Sequence, residues 1–100
     1  MTDSKQLRRI LQECKTLAVV GLSANDMRPS YFAAKYMQDH GYRIIPVNPN
    51  YDEILGEKCY PDLLSIPDPV DLVDLFQRPE RVVPFVEQAI GIKAKVVWMQ

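Results

Sequence analysis

Apolar positions along this chain come in two rhythms. Leu17 to Gly21, Tyr42 to Val47, Val70 to Phe76 and Ala94 to Met99 are short, nearly continuous apolar runs. Runs of about four to eight such residues, bounded by turn formers, read as buried strands. Other stretches repeat at helical spacing instead. Leu7, Ile10, Leu11 and Cys14 form one stripe at i, i+3, i+4, i+7, with Asp3 as cap and Gln6 as its capping-box partner. Phe32, Ala33, Tyr36 and Met37 share one side of a second helix, Tyr31 to His40, which Ser30 is expected to cap and Gly41 to end. Val82, Val83, Phe85, Val86, Ala89 and Ile90 form the stripe of a third, which opens at Pro79 and closes at Gly91.

Prolines and glycines punctuate the rest. Pro46 lacks a ladder donor, so the second strand is expected to be near its end or irregular there. Asn48-Pro49-Asn50 and Leu55-Gly56-Glu57 read as turns, with Lys58-Cys59-Tyr60 a short strand between turn and proline. Pro61, Pro67 and Pro69 break the following section into loop and one helical turn, and Pro84 is expected to kink the third helix.

Strands that alternate with helices and are apolar on both faces predict a parallel sheet covered on both sides. The expected fold is a Rossmann-like three-layer α/β/α domain with a mostly parallel sheet. It forms a single domain over residues 1–100, with residues 1–15 as an N-terminal helix packing on the sheet.

Composition narrows the function classes. The 100 residues are 47% hydrophobic and 25% charged, with a net charge of −1. Those values fit an ordinary globular domain and imply no general attraction to nucleic acid or to an anionic membrane. No apolar run approaches the ~18 residues of a membrane span. Cys14 and Cys59 stand apart without metal-ligand spacing, which points to reduced thiols in the cytoplasm. Asp71 and Asp74 fall on opposite strand faces and do not make an acid/base pair.

The candidate chemistry lies at the carboxyl ends of the strands, where α/β sheets hold ligands. The first strand runs through Gly21-Leu22-Ser23 into a helix start, which is an anion-binding arrangement. Gly21, bare of side chain, would let a diphosphate approach the backbone, and unpaired helix-start amides would face it. The full GxGxxG fingerprint is absent, and Asn48 stands where an NAD site places an acid. A neutral amide there does not repel a phosphate on the ribose. Arg28, Arg43, Lys58 and Arg78 are the cations near these loops, although Arg43 and Lys58 read best as surface charges. The ligand expected on these grounds carries a ribose phosphate: NADP or coenzyme A.

The stretches AVVGLS, RPSYFAAKYMQDHGYRIIPVNPNYDEILGEKCYPDL, VDLVDLFQRPERV and AKVVWMQ resemble the small stand-alone CoA-binding proteins. These are similar in fold to the CoA-binding domain of the succinyl-CoA synthetase alpha subunit. The resemblance implies a domain that binds coenzyme A with no established reaction. It implies that Gly21, Leu22, Ser23, Arg28, Pro29 and Ser30 hold the pyrophosphate. Val47, Asn48 and Pro49 would lie against the adenosine, and Phe76, Gln77, Arg78 and Pro79 would close the third side. The family often carries arginine where Gln77 stands. It also continues past WMQ with a further helix and strand, so the chain is expected to be a C-terminally truncated form.

The function expected is therefore a non-catalytic module binding coenzyme A or a short acyl-CoA. The alternatives are an NADP-dependent or acyl-CoA-using enzyme in the same crevice and a purely structural domain. An enzyme would need a titratable group at the mouth, and His40 is the only histidine. Cys59 is a weaker candidate, with Lys58 as its one cationic neighbour.

Overall fold

The computed structural model describes residues 14–25, 27–77 and 79–99. The helix expected over residues 1–15 lies outside them except for Cys14 and Lys15, which precede the first strand without helical structure. In chain order the elements are β1 (Thr16–Val20), α1 (Pro29–Asp39), β2 (Arg43–Val47), β3 (Glu53–Ile54), β4 (Glu57–Lys58), β5 (Leu72–Leu75), α2 (Val82–Gly91) and β6 (Val96–Met99). Short 3-10 turns cover Leu63–Ser65 and Pro79–Arg81.

β2, β1, β5 and β6 form one sheet in that order, every pair parallel, while β3 and β4 make a separate hairpin. Alternation divides the core. Leu17, Val19, Ile44 and Leu72 pack with Ala34 and Met37 of α1. Ala18, Val20, Ile45, Val47, Val73 and Leu75 pack on the other face with Val82, Phe85 and Ala89 of α2 and with Leu63. Helices therefore cover both faces, which makes three layers. β1 is central, with its neighbours reached through crossovers in opposite directions. That is a topological switch point, where the strand ends leave a crevice.

Pro46 does not disturb β2. It stays in register with Val19, and its carbonyl accepts from Tyr60 N–H at 3.0 Å on the outer edge. A strand residue's N–H and C=O point the same way, so the missing donor faces the edge, where no ladder bond is lost. The register of the sheet's lower end is held by Asp71. Its Oδ2 accepts from the Lys15 and Thr16 amides at 2.8 and 3.0 Å, and Lys95 Nζ stands 3.6 Å from Oδ1.

Helix phase differs from the expected one. Ser30 is not the cap of α1. Arg28 takes that place with Pro29 at the first helical position, and Ser30 is buried within the first turn. The face that meets the sheet is Ser30 and Ala34, whereas Phe32 and Tyr36 are 61% and 62% exposed. Small side chains let the helix sit close to the strands, and the large aromatics are turned outward. Gly41 does end the helix as expected. At φ +91 it donates to Gln38, and Tyr42 donates to Met37, the paired bonds of a Schellman motif.

In α2, Pro84 is the third helical residue, where no intrahelical donor is required, so it interrupts no helix bond. Gly91 does not close α2 but is its last helical residue. The Schellman bonds fall on Lys93, at φ +61, which donates to Ile90 while Ala94 donates to Ala89.

Candidate functional site

The carboxyl ends of β1, β2 and β5 meet around Gly21. Its N–H donates to the Val47 carbonyl at 2.9 Å, and the Phe76 N–H donates to the Val20 carbonyl at 2.9 Å. Gly21 adopts φ +82, and a Cβ there would stand 2.4 Å from the Phe76 carbonyl oxygen and 2.9 Å from Gln77 Nε2. The space above this α-carbon is thus filled by the β5 loop. Gly21 is required for loop-on-loop packing, a correction to the expectation that a diphosphate occupies that space.

Two cavities open on either side of this ridge. One, of about 360 Å³, is lined by Gly21, Ser23, Arg28, Pro29, Ser30 and Phe76. The other, of about 300 Å³, lies between the β2 end (Val47, Asn48, Pro49, Asn50) and the β5 loop with the start of α2 (Phe76, Gln77, Arg81, Phe85). Gly21 and Phe76 belong to both, so the cavities form one crevice with a low ridge. A third, more apolar cavity of about 260 Å³ lies against α1, with Leu17, Met37, Leu72 and Trp98 in its wall. It faces the core side of the helix, away from the strand ends.

The polar atoms of the β1 loop are largely tied within the protein. Ser23 N–H donates to Ser30 Oγ at 3.1 Å, Asn25 N–H to Ser23 Oγ at 3.0 Å, and Tyr31 N–H to the Arg28 carbonyl at 3.1 Å. Pro29 has no N–H to offer. The row of unpaired amides expected here is therefore reduced, and any anion would rely on Arg28. That guanidinium is exposed at the cavity mouth and has no ion-pair partner among the described residues.

Asn48 links the loops. Its Nδ2 donates to the Leu22 carbonyl at 3.1 Å, its Oδ1 accepts from Asn50 N–H at 2.9 Å, and its N–H donates to the Tyr60 carbonyl at 2.9 Å. Both ends of its carboxamide are thus occupied by protein. Cys59 supports it from behind, donating Sγ–H to the Asn48 carbonyl at 3.3 Å. Burial raises the Cys59 thiol above its ordinary pKa, with Asp52 adding to the rise. Burial thus favours the protonated thiol.

Of the residues expected to bind, Gly21, Ser23, Arg28, Pro29 and Ser30 come together, as do Val47, Asn48, Pro49, Phe76 and Gln77. Leu22 does not join them, because its side chain is fully buried in the α1-side core. Lys58 lines neither cavity; its Nζ stands 5.2 Å from the Tyr60 ring centre on β4. Arg43 lies at the opposite end of β2, paired with Asp68 at 2.6 Å. Arg78 lies outside the described residues, and Pro79 opens the 3-10 turn that follows. Sequence reasoning missed Arg81. Placing the helix start at Pro79 hid it inside a first turn, whereas the 3-10 turn makes Arg81 the cap of α2, at the crevice.

His40 sits at the far end of α1 from Arg28, about 18 Å away at the usual rise of ~1.5 Å per residue. Its Nδ1 lies 2.7 Å from the Tyr36 carbonyl, and its ring stacks on Tyr36 at 4.1 Å. Among the described residues no cluster of three or more histidine, cysteine or acidic side chains could hold a metal ion. Among them, too, no helix is long and apolar enough to cross a membrane.

A parallel sheet with helices on both faces and a crevice at its switch point defines a Rossmann-like α/β domain. The chain belongs to the CoA binding domain family, whose model matches residues 15–100. YneT, an uncharacterized protein of Bacillus subtilis (strain 168), is 44% identical over 95 residues, which is 95% of this chain and 70% of that protein. A hypothetical protein from Pyrococcus horikoshii OT3 superposes with a TM-score of 0.93 at 46% identity, over 97% of this chain and 68% of that one. The acetate–CoA ligase (ADP-forming) of Methanocaldococcus jannaschii is 38% identical over 79 residues. That match takes in 79% of this chain and 11% of the ligase.

Proposed function

We propose that this chain binds coenzyme A or a short acyl-CoA across the Gly21–Phe76 ridge, as a binding or regulatory module without chemistry of its own. The observation that carries the reading is the divided crevice. It has two cavities joined at one ridge, an arginine in each, and no carboxylate among the described lining residues. Coenzyme A is an elongated dianion-linked ligand of matching form. Its pyrophosphate rests beside Arg28 and Ser23, and its adenosine between the Asn48–Pro49 turn and Phe76–Gln77. Membership of the family supports the choice of ligand.

The non-catalytic part rests on where the reactive side chains sit. His40 is at the other end of α1, and the Cys59 thiol is buried and hydrogen-bonded behind Asn48. Neither His40 nor Cys59 lines the two cavities, which favours the binding reading over the enzyme alternative. Two buried free cysteines suit a reducing compartment, and we place the protein in the cytoplasm on that ground.

The test is a calorimetric titration of wild type and Arg28→Ala with CoA, NADP and NAD. CoA binds most tightly to wild type, and Arg28→Ala weakens it about tenfold, ~1.4 kcal/mol. The melting temperature of the variant stays unchanged because Arg28 is exposed. Tighter NADP than CoA, or no response to any ligand, overturns the reading.

A further inference from the structure

We infer that Arg81 is the residue by which this crevice selects an adenosine whose ribose carries a phosphate. The inference rests on the reading of the crevice as a coenzyme A site and names the contact that sets its specificity. Arg81 caps α2 and is exposed in the cavity that also holds Asn48, Pro49 and Gln77. Of the side chains that line this cavity among the described residues, it alone is ionised at neutral pH. It has no ion-pair partner among them.

Among the described residues, the other cations considered for the site stand elsewhere. Arg43 is paired with Asp68 at the other end of the sheet, and Lys58 lies over Tyr60 on β4. Arg28 lies across the ridge, in the cavity assigned to the pyrophosphate. A phosphate on the ribose, separated from the pyrophosphate by the sugar, needs a second cation on the adenosine side. Asn48, a neutral amide already tied to Leu22 and Asn50, brings no charge to a phosphate. A guanidinium matches a phosphomonoester with paired donors, and it works in a cavity whose described walls carry no opposing carboxylate.

The experiment compares CoA with dephospho-CoA on wild type, Arg81→Gln and Arg81→Lys. Wild type prefers CoA about tenfold. In Arg81→Gln that preference falls to about onefold, through weaker CoA binding, while dephospho-CoA affinity is unchanged. Arg81→Lys keeps part of the preference, since it keeps the charge without the fork. Equal weakening of both ligands makes Arg81 a contact to adenine or pyrophosphate and overturns the inference. An unchanged ratio in Arg81→Gln also overturns it while leaving CoA binding intact. Failure of wild type to bind either ligand removes the binding reading itself.

Discussion

Gly21 has two independent reasons to be glycine. Its φ of +82 is strained for any residue with a Cβ, and that Cβ would meet the Phe76 backbone at 2.4 Å. Neither loop can yield easily, because Gly21 is bonded to Val47 and Phe76 to Val20. Gly21→Ala is expected to cost at least about 2 kcal/mol, combining left-handed strain with overpacking. Chemical denaturation measures it. A variant as stable as wild type would show that the contact is not a constraint. The glycine lets the β1 and β5 loops close into one ridge between two cavities. Arg28 and Arg81 differ from it in kind: both are exposed, both border the crevice, and neither is needed for packing.

At the scale of elements, the two helices end by the same device with different residues. α1 places Gly41 in the left-handed position that its Schellman bonds require, whereas α2 places Lys93 there and keeps Gly91 helical. The two α2 positions are therefore each filled by the less favourable residue. Gly91→Ala is expected to stabilise by about 1 kcal/mol from helix propensity, since the new Cβ makes only an ordinary contact with Leu64 at 3.8 Å. Lys93→Gly is expected to add roughly 0.5–1 kcal/mol by relieving the positive φ. Thermal melts of the single and double variants check both. The double variant should rise by nearly the sum only if the two terms are separate. The β3–β4 hairpin shows the same economy of backbone. Leu55 and Gly56, both at positive φ, make its turn, and the chain then passes through Cys59 and Tyr60 to bond the outer edge of β2.

For the molecule as a whole, the sheet is pinned at the end opposite the crevice. Asp71 receives two backbone amides where the chain enters β1, and its own carbonyl accepts from Lys95 and Val96 where it enters β6. The Lys15 and Thr16 amides hold its carboxyl below the usual carboxylate pKa, with Lys95 contributing. A lowered pKa means that the folded state favours the ionised form. The stabilisation is full above the unfolded pKa of ~3.9 and is lost as pH falls through the folded value. Asp71→Ala should cost about 2 kcal/mol at pH 7. The gap to wild type should narrow progressively below about pH 4, as followed by urea denaturation across pH. A gap independent of pH would assign the loss to packing instead.

The apolar rhythm and turn residues were enough to place the four sheet strands, the two crossover helices and the loops that carry the crevice. These are local signals: apolar runs for β1 and β5, and Gly41 as a terminator; Pro79 opens a 3-10 turn and α2 itself starts at Val82. They also put most of the expected site residues at neighbouring strand ends, because a parallel sheet puts those ends on one side. Which face of a helix is buried was not local. Ala34 rather than Phe32 meets the sheet because close approach favours small residues, and only the packed neighbours decide that. The same holds for Leu22, which turns into the core, and for Arg81, which the 3-10 turn carries to the cavity. Asn48 reads as a ligand group in isolation, and it becomes a loop tie only when Leu22 and Asn50 are beside it. Periodicity along a chain records what must be buried, whereas contacts between distant segments choose which polar groups stay free for a ligand.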